Sequence, residues 1–331
     1  METEILLHKP LKEIVNENPL FSDFFSSFQI KAENEHKSFT EYISTQPDSF
    51  WDENASSKEE IANLFVDYIS GIAASEQKTT IETLDILRGI DKSKNPENCN
   101  LHLNPGEITC IVGPTGSGKS RLLADIEWLA NGDTPTKRKV LINGQPADED
   151  TSALFGGKLI AQITQNMNFV LDMDVESFLM LHAQSRLLMN AEDAVKEVMK
   201  LANELSGEPF DPTTPVTFLS GGQSRALMIA DVACIGQAPI VLIDEIENAG
   251  VNKKKALDLL VSKDKIVLMA THDPLLILLA DKRVVIKNGG MDKIITTNTH
   301  EKGYYAELEK MDKAMQEAKD FFRYGNELKE S

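Results

Sequence analysis

The spacing of apolar residues along the chain divides it into three stretches. Near the amino end the spacing is helical: Phe21, Phe24, Phe25 and Phe28 fall at i, i+3, i+4 and i+7, behind Asn18 as a cap and Pro19 at the first helical position. Ser57 followed by Glu60 is the pattern of a capping box, and Ile61, Leu64, Phe65, Tyr68 and Ile69 then continue at helical spacing. Two such stripes predict helices that bury their aromatic faces against one another, so residues 1–78 are expected to form a small helical accessory or docking unit. The stretches 43–57 and 73–80, rich in Ser, Thr, Asn and Ala, read as loops, the second as a boundary. Between 79 and 302 the pattern changes to short apolar, often β-branched runs separated by helical segments: Ile108–Val112, Leu159–Thr164, Ile240–Ile243, Ile266–Ala270 and Val284–Lys287. Runs of this length predict strands covered on both faces, hence an α/β domain around a buried sheet. Over 303–331, Leu308, Met311, Met315, Ala318 and Phe322 share one face of a C-terminal helix, which is expected to pack on a domain.

Composition narrows this picture. The chain has 331 residues, 41% of them hydrophobic, enough for one main domain with a sizeable core and a smaller appendage. With 34 basic against 52 acidic residues the net charge is −18, which repels a polyanion and makes nucleic acid a poor default partner. The start METEILLHKP lacks the pattern of a secretion signal, and apolar stretches such as 240–243 and 275–280 fall well short of the roughly 18 residues that cross a bilayer. A cytoplasmic location is expected. Cys99, Cys110 and Cys234 are scattered without ligand-pair spacing, which argues against a disulfide framework or a zinc site.

The chemistry is concentrated in a few motifs. The strand Glu107–Val112 runs into GPTGSGKS, residues 113–120, and a helix-forming segment follows. Gly113, Pro114, Thr115, Gly116, Ser117 and Gly118 allow the backbone to wrap phosphates with its N–H groups pointing inward, at a helix N-terminus that favours an anion. Lys119 is placed to reach the β- and γ-phosphates, and the Ser120 hydroxyl to complete a Mg²⁺ shell. After the apolar strand 239–243 come Asp244, suited to address Mg²⁺, and Glu245, suited to polarise an attacking water. Between these motifs lies LSGGQ, 219–223, in which Ser220 offers a hydroxyl, Gly221 and Gly222 unobstructed N–H groups, and a helix beginning near Gln223 its dipole.

With these motifs in this order, the chain resembles the ABC (ATP-binding cassette) ATPases over about 101–290. The resemblance implies a P-loop NTPase cassette with a RecA-like core, an antiparallel β subdomain and a helical signature subdomain, here preceded by the small helical N-terminal domain. It implies ATP and Mg²⁺ as ligands, and pairing with a second cassette, as a homodimer, whose γ-phosphate Ser220, Gly221, Gly222 and Gln223 would bind. Gln165 matches the family's Q-loop glutamine, which touches Mg²⁺ and the water, and His272 its switch histidine at the γ-phosphate. Glu245 is then the expected general base, and Lys119, Gln165 and His272 complete the catalytic set, with Ser120, Gln165 and Asp244 at the metal.

The sequence departs from the family pattern in three places. No Phe, Tyr or Trp lies between Tyr68 and Trp128, where the family stacks adenine on an aromatic ring, so the choice between ATP and GTP stays open. After Glu245 the chain reads Ile246, Glu247, Asn248, Ala249, Gly250, Val251, Asn252 in place of the usual dimer-contact loop, with Asn252 the nearest substitute for its aspartate. Gln165 is followed by Asn166 and Met167, where transporters often carry an acidic residue and proline. The first expectation is therefore a soluble ABC ATPase that remodels or activates another protein. The alternative is the ATPase subunit of a membrane transporter, peripheral to the membrane. A DNA-repair or chromosome-type ATPase is a lesser alternative, opposed by the acidic balance and by the lack of a long heptad insertion within 121–218.

Overall fold

A computed structural model of the chain describes residues 2–17, 20–32, 35–54, 56–76, 81–147, 158–164, 169–186, 188, 190–244 and 251–327. Its centre is a six-stranded sheet in the order β10-β9-β3-β8-β7-β6, where β3 is Ile108–Val112, β6 Ile160–Ile163, β7 Ile240–Asp244, β8 Ile266–Ala270, β9 Lys282–Lys287 and β10 Gly290–Thr296. All neighbours pair in parallel except β10, which returns antiparallel to β9. The expected apolar runs are these strands. Because side chains alternate across a sheet, each central strand feeds two cores. Val241, Ile243, Val267 and Met269 point into one, while Ile240, Leu242, Ile266 and Leu268 point into the other.

The first core is closed by the helices Val175–Ser185, Ala191–Leu205, Gly221–Cys234 and Lys253–Ser262. The second is closed by the helix Lys119–Glu127 and by a four-stranded antiparallel sheet, β2-β1-β4-β5. In that sheet β1 is Leu84–Leu87, β2 Leu101–Leu103, β4 Lys139–Ile142 and β5 Gln145–Pro146. One face of it is apolar: Leu84, Ile86, Leu101, Leu103 and Val140 are buried, and the residues between them are partly or fully exposed.

Residues 2–76 form helices Glu2–His8, Leu11–Glu17, Leu20–Ser27, Phe39–Ser44, Asp48–Glu53 and Lys58–Glu76. They share a separate core in which Phe21, Phe25, Phe39 and Phe65 are buried, with the rings of Phe39 and Phe65 centred 4.0 Å apart. The capping box at Ser57 forms, its N–H donating to Glu60 Oε2 at 2.7 Å and Glu60 N–H to Ser57 Oγ at 3.2 Å. Asn18 and Pro19 lie outside the described residues. Two expectations here are corrected. The stretch 43–57 contains the helix Asp48–Glu53, and the helix from Lys58 continues through Glu76 into the expected loop at 73–80. Leu64 is 47% exposed because the buried face of that helix follows Ile61, Phe65 and Ile69.

The C-terminal helix is Thr299–Arg323. Its first turns are anchored: Arg283 pairs with Glu301 at 2.5 Å, the Lys254 ammonium lies 5.8 Å from the Tyr305 ring centre, and the helix packs on Pro274–Leu279. The apolar face beyond, expected to be packed, is not. Met311, Met315, Ala318 and Phe322 are all exposed.

Candidate functional site

The phosphate-loop motif follows β3, whose residues Ile108 to Ile111 are buried and fix where the loop begins. Gly118 has φ +111° and caps the helix Lys119–Glu127. A Cβ there would lie 2.9 Å from Gly289 Cα, so strain and contact both demand glycine. At Gly113 a Cβ would meet Ile286 O at 2.5 Å. The loop is thus pressed against the β9–β10 turn, Asn288–Gly289, whose Gly289 N–H donates to Ser117 O at 2.7 Å. Lys119 Nζ donates to Gly113 O at 2.8 Å and to Pro114 O at 3.3 Å, closing the loop around a cation. The buried Ser117 Oγ has no hydrogen-bond partner among the described residues, and Ser120 is exposed.

Behind this loop lies a charged cluster that no motif marked. Arg138 is fully buried and donates to Glu97 Oε1 at 2.6 Å, to Asp125 Oδ2 at 2.8 Å and to Gly289 O at 2.9 Å. Asp125 sits on the phosphate-loop helix, where it also accepts from Thr136 Oγ1 at 2.8 Å and lies 3.1 Å from Arg121 Nε. Glu97 accepts from Gly89 N–H at 2.7 Å and from Met291 N–H at 2.6 Å. Gly289 therefore links the cluster, through its carbonyl, to the phosphate loop, through its N–H. From the outer side Lys92 Nζ donates to Gly116 O at 2.7 Å, and Lys92 N–H donates to Asn288 O at 2.9 Å.

The remaining motif residues collect along one edge of the sheet. Strand order β3-β8-β7-β6 sets side by side the carboxyl ends that carry the phosphate loop, His272 after β8, and Asp244 at the end of β7. In such sheets that edge is where ligands bind. Gln165 and Glu245 lie just past the ends of β6 and β7, outside the described residues. In LSGGQ, Ser220 caps the helix Gly221–Cys234: its Oγ accepts from Gln223 N–H at 3.3 Å, while Gln223 Oε1 accepts from Ser220 N–H at 2.9 Å. The Ser220 O–H proton is not used in that box. Asn252 is committed to capping the helix Lys253–Ser262, accepting from Lys255 N–H at 3.0 Å.

The ABC transporter family profile matches residues 96–248. An uncharacterised ABC transporter ATP-binding protein of Methanocaldococcus jannaschii is 49% identical over 249 residues, which are 75% of this chain and 95% of the relative. The chain belongs to the ATP-binding cassette family. An energy-coupling factor transporter ATP-binding protein of the same organism is 28% identical over 71% of this chain and 84% of its own length. A solved ATP-binding subunit of an ABC transporter shares the fold, with TM-score 0.51 and 23% identity over 66% of this chain and 90% of its own. As a family member the chain is an ATPase that takes ATP with Mg²⁺.

The cassette's residues fit both ligands. A loop that folds around the Lys119 ammonium at a helix N-terminus, and presses on Gly289 without intervening side chains, is a cradle for phosphate. Among the described residues no three His, Cys, Asp or Glu cluster as a ready-made metal site. A hydroxyl at Ser120 and a carboxylate at Asp244 suit Mg²⁺, a hard cation that usually takes few protein ligands beside phosphate oxygens and water. No described helix is long and apolar enough to cross a membrane.

Proposed function

We propose that this cassette is the ATPase subunit of a membrane transporter, pairing with a second cassette and driving membrane-spanning subunits carried on other chains. The observation that carries this reading is the 49% identical relative, spanned over 95% of its length and named as an ABC transporter ATP-binding protein. The energy-coupling factor relative points the same way. The first expectation, a soluble protein as the driven partner, has no support among these relatives, so the transporter alternative replaces it.

In this reading Lys119 and the N–H groups of residues 113–120 hold the β- and γ-phosphates, and Ser120, Asp244 and Gln165 serve the metal. Glu245 takes the proton of the attacking water, His272 contacts the γ-phosphate, and Ser220 to Gln223 of one cassette complete the site of the other. Catalysis comes from positioning and charge stabilisation, with no covalent intermediate. ATP held between two cassettes favours closure and its hydrolysis favours reopening, which is how the cycle would move a membrane partner.

The test is purification of Glu245→Gln with ATP from detergent-solubilised membranes of the source cells. A polytopic membrane protein retained with ATP and lost without it is the expected result. Retention of a soluble enzyme alone would overturn the transporter reading. Full turnover by Glu245→Gln would separately remove Glu245 as the base, and full turnover by Ser220→Arg would remove action across the pair.

A further inference from the structure

Beyond its anchored first turns, the C-terminal helix stands almost alone. From Ala306 to Arg323 every side chain the structure describes is exposed except Leu308, which is half-buried. Most of a helix's stability in a protein comes from covering an amphipathic face rather than from propensity. Such a face exists: Tyr304, Leu308, Met311, Met315, Ala318 and Phe322 are spaced alternately four and three residues apart, the seam of a coiled coil. Met311 is 69% exposed, Met315 58% and Phe322 57%.

We infer that this seam pairs, antiparallel, with the same helix of a second copy of the chain, holding two cassettes together before nucleotide binds. Size and charge select the occupant and the direction. Turning a second copy about a twofold axis between residues 316 and 317 sets Met315 against Ala318 of the other copy and Met311 against Phe322, a large residue facing a smaller one in the central layer. At the flanks the same turn sets Asp312 against Lys319 and Ala314 against Phe321, each twice by symmetry. The parallel alternative fails on both counts. It would bring Glu307 beside Asp312 of the other copy and stack Ala318 on Ala318, combining like charges with an unfilled layer.

The flank of the helix that carries Asp312 and Lys319, one position round from the seam, faces the signature loop, where a second cassette is needed. A cleft of about 1030 Å³ separates this helix from the signature loop, with Asp312, Lys319 and Arg323 on one wall and Ser220 and Gly222 on the other. A helix pair at this place acts as a tether: a weak contact raises the effective concentration of one cassette at the other, so that ATP-driven closure becomes an event within one assembly. The tether is independent of which partner the cassettes drive.

The test uses the full chain without nucleotide, by sedimentation equilibrium and by oxidative cross-linking. The wild-type chain is expected to be dimeric. Asp312→Lys should weaken the dimer by about tenfold or more, since it places lysines opposite each other twice, and Asp312→Lys with Lys319→Asp should restore it to within about twofold. Both positions are exposed, so ATP binding serves as the control for folding. Met311→Cys with Phe322→Cys should give a disulfide-linked dimer that neither single variant gives, because eleven residues along one helix separate the two cysteines by about 16 Å, too far to bridge within a chain. A nucleotide-free monomer at tens of micromolar would overturn the proposal, as would a charge swap that fails to restore pairing. Cross-linking by Met311→Cys alone would replace the antiparallel pair with a parallel one.

Discussion

Arg138→Met tests whether the charged cluster behind the phosphate loop holds that loop in place. The guanidinium, the Glu97 carboxylate and the Asp125 carboxylate are all fully buried. Removing the cation leaves two carboxylates in the interior without it, and breaking a buried pair in this way costs about 3–5 kcal/mol. The upper end is tempered here because each carboxylate keeps other support: Glu97 from two backbone N–H groups, and Asp125 from the Thr136 hydroxyl and nearby Arg121. A loss of about 3–4 kcal/mol is a large share of the total stability of an ordinary domain, and corresponds to a melting temperature lower by about 6–16 °C. Urea titration and thermal melting followed by circular dichroism measure it. Trp128, which ends the phosphate-loop helix and lies 5.3 Å from the Arg121 guanidinium, supplies a local fluorescence signal. Lys196→Met, which removes an exposed pair with Asp193 at 3.8 Å, is the control and should stay within about 0.5 kcal/mol of wild type. Replacing all three charges together, with Glu97→Gln, Asp125→Asn and Arg138→Met, should recover part of the loss, since no ion is then stranded. If Arg138→Met alone falls within about 1 kcal/mol of the wild type, the cluster does not support the loop and the reasoning fails.

Gly118→Ala should lower ATP affinity more than about tenfold and destabilise by about 1–3 kcal/mol, because alanine meets both an unfavourable φ and the Gly289 backbone; fluorescent-nucleotide titration and urea midpoints check the two effects. Lys253 pairs with Asp273 at 2.5 Å, and Asp273 caps the helix that follows His272, so Lys253→Met should lower kcat by about three- to tenfold with the ATP Kd unchanged, and an equal loss in both would refute the link. Burial pushes the Lys265 ammonium down to about 8 from 10.5, although its Nζ donates to Gly236 O and Ala238 O at 2.8 Å each. Between those two pH values the unfolded chain holds a proton that the folded chain has released, so wild type should gain stability over Lys265→Met as pH rises through that window. Urea midpoints of both proteins from pH 7 to 10.5 measure the difference, and a fall in the stability of wild type relative to Lys265→Met over that range would refute the sign.

Much of the cassette is legible from the chain because its signals are local. An apolar run such as Ile266–Ala270 can hardly be anything but a strand covered on both faces, and GPTGSGKS carries its own backbone requirements. The antiparallel sheet is harder to read. Leu101–Leu103 has three residues and its partner β1 four, too short for alternation to stand out, and β1 pairs on its other edge with the distant β4, where Leu84 faces Ile142 and Ile86 faces Val140. The Arg138 cluster is invisible for a related reason. Glu97, Asp125 and Arg138 come from three separate segments, and Arg138, flanked by Lys137 and Lys139, looks like one residue of a solvated basic edge. Only the fold turns it inward. The C-terminal seam failed in the opposite way. A stripe that packs on its own domain and a stripe that packs on another helix have nearly the same spacing, 3.6 against 3.5 residues, and over so few turns the sequence does not separate them.

Asn252 has a role within its own chain that its place near the missing family aspartate does not suggest. Counted along the chain, it stands near the aspartate of the dimer-contact loop and invites the role of a substitute. In the fold its side chain caps the helix Lys253–Ser262, and its N–H donates to Leu205 O at 2.9 Å, at the end of the helix Ala191–Leu205. Ser206 and Val251 form a bridge beside that bond. The next residue, Lys253, reaches Asp273, one position beyond His272. One short segment therefore touches the helical layer that carries LSGGQ and the turn that follows β8. These bonds all lie within one chain. They offer a link between the layers of a single cassette, and Lys253→Met, which cuts it without touching the phosphates, tests through kcat and Kd whether nucleotide acts by that route.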